Sequence, residues 1–269
     1  MTLIVGVKCA DGIVLGADSS ATYATALSQQ VTIRQDTKSK LHIALNKVIV
    51  AVSGPVGLGQ SYSDEIDSYL KTHGNKVVWK SVQQAKTELT AMFWKHAGPV
   101  WERAKAMQPV VGNAAANECN HQTAVAFAIG DDSHLLQFTP GCNPEEATAD
   151  LPFFALGSGQ ASADVFLAFI RNIFWPSEPP SQSEGELATV WTLDEIIRQI
   201  PGFVAGKIEV GVLKKDGSGN WKAGKLSEDE ISTHREGIKA IEGGMPNAAK
   251  VATGAAAVPT EPIPEPSEN

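Results

Sequence analysis

The chain has 269 residues and a formal net charge of −8, with 22 Lys and Arg against 30 Asp and Glu. That length suits one large domain or two small ones around a sizeable core, and the acidic balance argues against a surface that tracks nucleic-acid phosphates. Three widely spaced cysteines, Cys9, Cys119 and Cys142, form neither a disulfide framework nor a zinc spacing. No apolar run approaches the roughly 20 residues of a membrane helix, and no basic region precedes the first apolar stretch as in a signal peptide. A cytoplasmic protein with reduced thiols and no membrane association is expected.

Residues 2–7 read as a β-rich strand, Asp11-Gly12 as a hairpin turn and residues 13–17 as the returning strand. Residues 19–39 are polar and read as a long connection. A second hairpin spans residues 41–45 and 48–52, and Ser53-Gly54-Pro55 ends it. Two helices follow. Residues 56–73 carry Tyr62, Ile66, Tyr69 and Leu70 at helical spacing, and residues 81–107 follow Ser81 as N-cap, with Gly98-Pro99 expected to bend or break the helix. Strands are predicted at residues 123–129, 135–138 and 153–156, and a helix at 161–174. The Pro/Ser/Glu-rich segment 176–185 reads as an exposed loop, 193–200 as a short helix and 208–213 as a strand. Residues 227–241 read as a polar helix capped by Ser227 and Glu230, and the Ala/Pro/Glu-rich remainder from Gly243 as disordered. Strands, helices, strands, helices and a strand in that order suit one domain with sheet inside and helices outside.

Position two carries the chemistry. A small residue there permits removal of Met1, which leaves Thr2 with a free α-amine beside its hydroxyl. An α-amine with a pKa of about 7.7–8.0 is a base matched to neutral pH, and a Thr hydroxyl activated by its own amine is a workable nucleophile. Such a site needs a cation, a carboxylate to hold it and an oxyanion donor. Asp18 closes the second strand, Lys40 opens the third, and the Gly54 amide ends the fourth. Taken singly, Asp18 also reads as a strand end, Lys40 as a solvated strand start and Ser158, between two glycines, as a helix cap. A two-residue turn at Asp11-Gly12 would place Asp18 opposite Val5 and put Thr2 and Asp18 on opposite faces; a bulge or a longer turn is needed to bring them together.

Thr-Leu-Ile-Val-Gly-Val-Lys at 2–8 and Asp-Gly-Ile-Val-Leu-Gly-Ala-Asp-Ser-Ser-Ala-Thr at 11–22 resemble the opening of proteasome β subunits and of HslV. Lys40-Leu41, Val-Ser-Gly at 52–54 and Gly157-Ser158-Gly159 follow with the family's spacing, so the resemblance spans about residues 2–213. Among its members, the bacterial, β-proteobacterial type of proteasome homologue is the nearest in kind. The resemblance implies an α+β fold, a four-layer αββα sandwich of the N-terminal-nucleophile type, over residues 1–226, before a C-terminal helix at 227–242 and a disordered tail at 243–269.

The resemblance also implies roles. Thr2 is the nucleophile and, through its amine, the base. Lys40 lowers the proton affinity of the hydroxyl, Asp18 orients Lys40, the Gly54 N–H holds the oxyanion and Ser158 assists near the amine. Ala21, Thr22 and the Gly54 backbone pair with an extended substrate, and Val52 forms the base of the first specificity pocket. No metal or organic cofactor is called for. The implied partners are further copies of the chain in a closed double ring, unfolded protein or peptide substrates, and an ATP-dependent unfoldase. Activation needs only methionine removal. One departure stands out: residues 200–206, Ile-Pro-Gly-Phe-Val-Ala-Gly, lack the Asp and Ser with which proteasome β subunits support the amine, and HslV also differs there, with an Ala-Gly run. A silent ring subunit and a small-amide hydrolase are the rival functions.

Overall fold

Two runs of β-branched and aliphatic residues too apolar to face water set the architecture. The computed structural model describes residues 2–25, 28–34, 39–112, 118–201 and 204–254. Its strands are β1 (Leu3–Lys8), β2 (Gly12–Asp18), β3 (Ala21–Thr25), β4 (Ser28–Arg34), β5 (Leu41–Ala44), β6 (Val48–Ser53), β7 (Gln122–Ile129), β8 (Asp132–Phe138), β9 (Pro144–Glu146), β10 (Phe153–Gly157), β11 (Ile208–Lys215) and β12 (Trp221–Lys225). The helices are α1 (Val56–Thr72), α2 (Val82–Val111), α3 (Gln160–Phe174), α4 (Gln182–Gln199) and α5 (Glu228–Ala252). One sheet has the order β10-β1-β2-β11-β12, a second β5-β6-β7-β8-β9, and β3 and β4 form a separate hairpin.

Three apolar layers separate four structural ones, giving the αββα sandwich. Ile4, Ile13, Leu15, Leu41, Ile49 and Leu135 fill the space between the sheets. On the outer face of the first sheet, Leu3, Val5, Val14 and Val210 meet Leu167 and Ile170 of α3 and Trp191 and Ile196 of α4. On the outer face of the second, Val48, Val50, Val125 and Phe127 meet Tyr62 and Ile66 of α1 and Leu89 and Phe93 of α2. Each such side chain contributes about 1.5–3 kcal/mol when fully buried. Because both faces of β1 and β2 are covered, their sequences read as unbroken apolar runs rather than alternating ones. Gly16 lets α4 lie close on the sheet: a Cβ there would sit 2.4 Å from Thr189 Cγ2 and 2.7 Å from Leu193 Cδ1.

Several predicted boundaries are corrected. The α2 helix is continuous through Gly98-Pro99. Pro99 lies on the exposed face, as does Lys95 one turn earlier, whose carbonyl loses its helical donor on the side open to water. The segment predicted as loop up to 185 enters α4 at Gln182, through a capping box in which Ser181 accepts from the Glu184 N–H and Glu184 accepts from the Ser181 N–H. This helix is buried along most of its first three turns between the sheet, α3 and α5, which erases the one-sided apolar stripe that would have announced its full length. The Ser227–Glu230 capping box does open α5, but that helix continues to Ala252 rather than stopping at 242. Asn247–Ala252 is rich in good helix formers, and extending a helix already nucleated is cheap. The rest of the predicted tail, 255–269, lies outside the described residues. The polar stretch at 19–39 contains the β3–β4 hairpin, and β9 and β12 are short strands without an apolar signature. Among the described residues no helix is long and apolar enough to cross a membrane.

The cores also set a pH dependence. Burial pushes the Cys9 thiol well up, with the Asp11, Glu186 and Glu184 charges adding to it, and burial likewise raises Cys142 and the Tyr62 phenol. Groups whose folded pKa is raised give stability that is complete below the unfolded value, 9.0 for cysteine, and that is lost as pH climbs beyond it. The Lys40 ammonium, held low by burial, acts in the opposite sense but is outnumbered. The melting temperature should therefore fall above about pH 9, and less steeply in Cys9→Ala; a flat alkaline profile in the parent would contradict this.

Candidate active site

The starts of β1, β5, β7 and β11 and the ends of β2, β6 and β10 converge at one edge of the sandwich. Thr2, only 6% exposed, precedes β1 at this edge. Its N–H donates to Ser158 Oγ at 3.0 Å, while its carbonyl accepts from the Ser158 hydroxyl and from the Gly159 N–H, both at 3.3 Å. The turn after β10 thus wraps the Thr2 peptide. Gly157 makes the approach possible: with φ of +92°, a Cβ there would lie 2.3 Å from the Thr2 carbonyl oxygen and 3.0 Å from Ser53 Oγ. Gln122, opposite Ser53 in the second sheet, fixes this turn by accepting from the Gly157 N–H at 2.8 Å and donating to Gln160 Oε1 at 3.4 Å.

Asp18 is fully buried at the end of β2. One carboxylate oxygen, Oδ1, accepts from the Leu3 N–H at 2.8 Å and from Lys40 Nζ at 2.6 Å. The other, Oδ2, accepts from the Ser20 hydroxyl at 2.6 Å and the Ser20 N–H at 3.3 Å, with the Ala205 N–H at 3.5 Å. Lys40 immediately precedes β5 in the facing sheet, and its carbonyl accepts from the Val52 N–H at 3.1 Å. Its side chain is 11% exposed. Burial pushes its ammonium below the ordinary lysine range, and the Asp18 charge and hydrogen bond oppose only part of that.

The β1–β2 turn moves Asp18 two residues closer to Thr2 yet leaves it, by alternation, in register with Leu3 and not with Thr2, so it is a backbone contact that joins the two. The β1–β2 register pairs Ile4 with Ala17 and Lys8 with Ile13, and the Cys9 N–H donates to the Gly12 carbonyl, so the turn is at Ala10-Asp11 rather than Asp11-Gly12. Asp18 thereby comes alongside Leu3 instead of Val5. No bulge is needed, because the carboxylate grips the peptide N–H that follows Thr2.

Of the predicted site residues, Ser158 and Asp18 meet through hydrogen bonds to the Thr2–Leu3 backbone, and Lys40 joins them through the Asp18 carboxylate. Gly54 follows Ser53, whose hydroxyl borders the Gly157 turn; with φ of +121°, a Cβ on Gly54 would lie 2.6 Å from the Asn120 carbonyl oxygen. Val52 extends from the opposite face of β6 to Ser53, toward α1, where a Cβ on Gly59 would lie 3.2 Å from its own Cβ. Ala21 and Thr22 pair with Arg34 and Ile33 in the β3–β4 hairpin, and their side chains lie outside the described residues. Sequence reasoning did not single out Ser20, Gln122 or Ala205 as site residues. A polar Ser-Ser pair directly after Asp18 was the available signal for the first of these.

A family model described as Proteasome subunit matches residues 2–92, which include Thr2, Asp18, Lys40 and Gly54 but not Ser158. No curated protein matches the chain. Among solved structures, Anbu (ancestral beta-subunit) from Yersinia bercovieri is similar with a TM-score of 0.60 and 15% identity, over 97% of this chain and 99% of that one. The Anbu (Gly-1) mutant from Hyphomicrobium sp. strain MC1 is similar with a TM-score of 0.62 and 15% identity, over 98% of this chain and 100% of that one. At such identity the structures share a fold, and the sequence link rests on the first third of the chain.

Proposed function

We propose that this proteasome-like β-type subunit is a threonine-type endopeptidase whose nucleophile is Thr2 once Met1 is removed. The observation that carries the reading is the convergence on one backbone stretch: Ser158 on Thr2, and Asp18 on both Leu3 and Lys40. A carboxylate used only to end a strand would have no need of a buried lysine from the facing sheet.

In this reading the freed α-amine takes the proton of the Thr2 hydroxyl as the oxygen attacks the peptide carbonyl. Lys40, held by Asp18, favours the developing alkoxide. The Gly54 N–H stabilises the tetrahedral oxyanion, a contribution of about 3–4 kcal/mol in comparable sites. Collapse breaks the C–N bond, and the protonated α-amine delivers its proton to the departing amine, leaving an ester on Thr2. Water, deprotonated by the same amine, then attacks the ester and releases the acid. The substrate lies as an added strand along Ala21, Thr22 and the Gly54 backbone, with its first side chain over Val52. No metal or organic cofactor enters any step.

A single threonine protease free in the cytoplasm would be a hazard, which favours enclosure in a closed homo-oligomeric double ring that admits unfolded chains, with an ATP-dependent unfoldase as partner.

The test is intact mass before and after a peptide epoxyketone, which closes a ring on both the hydroxyl and the amine of a terminal threonine. A parent mass lacking methionine that gains one inhibitor, with no gain in Thr2→Ala, is the expected result. Retained methionine without an adduct would replace this reading with a silent ring subunit. Turnover of small amides but not peptides, by a chain that forms no rings, would replace it with an amidase.

A further inference from the structure

We infer that Ser20 is a positioning residue of this site, which holds Asp18 so that one carboxylate oxygen can serve Leu3 and Lys40 together. The inference rests on the endopeptidase reading for its kinetic consequence and on geometry for its structural one. The two oxygens of Asp18 are divided between tasks. Oδ1 joins the strand of the nucleophile to the cation, and Oδ2 is the anchor. On the anchor side the Ser20 hydroxyl, at 2.6 Å, is the short, charge-assisted bond, while the Ser20 N–H at 3.3 Å and the Ala205 N–H at 3.5 Å are long ones.

Ser20 is 2% exposed, so water does not substitute for it readily. Its hydroxyl has one proton, which Asp18 receives, and its oxygen accepts in turn from the Ala205 N–H at 3.2 Å. Its own N–H donates to the Ala205 carbonyl at 3.1 Å. Ser20 and Ala205 therefore clasp each other in both directions, tying residues 204–206 to the end of β2. The clasp is tight: a Cβ on Gly206, whose φ is +87°, would lie 2.5 Å from Ser19 Oγ. This is the loop that lacks an acidic or hydroxyl side chain to offer the site. Its contribution is instead a backbone amide, relayed through the Ser20 hydroxyl to the carboxylate.

Without that hydroxyl only the two long N–H bonds hold Oδ2, and a carboxylate that turned on them would give up either Leu3 or Lys40 at Oδ1. Misplacements of about 1 Å at a reacting centre can cost on the order of 100-fold in rate.

The experiment uses the full chain with Met1 removed, and compares parent, Ser20→Ala, Ser20→Thr and Ser20→Cys on a fluorogenic peptide, alongside the crystal structure of Ser20→Ala. The expected result is a kcat lower by about 10- to 100-fold in Ser20→Ala with KM within about twofold, and recovery of most of it in Ser20→Thr, which keeps the hydroxyl. Ser20→Cys, a weak donor of nearly the same size, should fall between, and carries the comparison if Ser20→Ala does not fold. A residue that only packs would lower the melting temperature and leave kcat alone, and that outcome overturns the inference. Should the parent itself prove inactive, the endopeptidase reading fails on its own. The crystal structure then decides: an Asp18 that has turned away from Leu3 or Lys40 upholds the positioning role, and an unmoved Asp18 ends it.

Discussion

Thr2→Ala should lose peptide hydrolysis by at least about 10⁴-fold while folding as the parent does. The loss is large because, in the proposed mechanism, one residue supplies the attacking oxygen and, through its amine, the base, and no neighbouring hydroxyl is placed to inherit both. Ser158 is bonded to the Thr2 backbone and has no amine of its own. The fold is spared because the hydrogen bonds that seat Thr2 run through its main chain, to Ser158 and Gly159, and survive truncation of the side chain. Thr2→Ser keeps hydroxyl and amine and should keep hydrolysis. Turnover of a fluorogenic peptide, read beside melting curves, checks both variants. Residual hydrolysis within tenfold of the parent in Thr2→Ala would assign the nucleophile elsewhere.

Asp18→Asn should destabilise the chain by about 3–5 kcal/mol and abolish hydrolysis as well. Asp18 is fully buried, Lys40 is nearly so, and they meet at 2.6 Å. Removing the carboxylate charge takes from Lys40 an ionic partner at 2.6 Å in a medium that solvates an ammonium poorly. An amide group would also turn an NH₂ toward one set of donors that the carboxylate now accepts from, Leu3 and Lys40 on one side or Ser20 and Ala205 on the other. The informative variant is the double one. Asp18→Asn with Lys40→Met removes both charges, so most of the lost stability should return while hydrolysis stays absent. Urea unfolding measures the first, through a midpoint that moves at constant slope, and peptide turnover the second. A double variant as unstable as Asp18→Asn alone would mean that the cost lies in the hydrogen bonds of the carboxylate rather than in the charge that the lysine loses as its neighbour.

The elements carrying the site were legible where chemistry and local pattern coincide. β1, β2, β5 and β6 are short apolar runs bounded by turn residues, and Asp18, Lys40 and Gly54 stand at their ends, so the roles proposed for them from the resemblance could be paired with places. Ser158 was marked by its flanking glycines. The register was not legible: Ala10-Asp11 and Asp11-Gly12 are both acceptable turns, and the choice moves Asp18 from Val5 to Leu3. Nor was α4, since a helix covered on nearly all sides has no apolar stripe, although its Ser181–Glu184 cap was there to be read. Pro99 misled because an exposed proline leaves a carbonyl for water rather than an orphan in the core. Gln122 and Ala205 act across sequence separations that no local pattern encodes, Gln122 reaching Gly157 and Ala205 reaching Ser20, whereas Ser20 lies two residues from Asp18 and was overlooked beside it.

The grip of Asp18 on the Leu3 amide has a temporal consequence. Every anchor named at this edge holds atoms of Thr2 or of residues after it, so excision of Met1 cuts a bond outside the clamp. The new amine inherits the place beside Ser158 Oγ that the amide nitrogen occupied. The entropy of ordering the site is thus spent during folding, before any nucleophile exists. On the proposed function, removal of Met1 would then change the identity of one nitrogen and leave the scaffold around it as it was, so the uncleaved chain would be a latent form already in the shape of the active one.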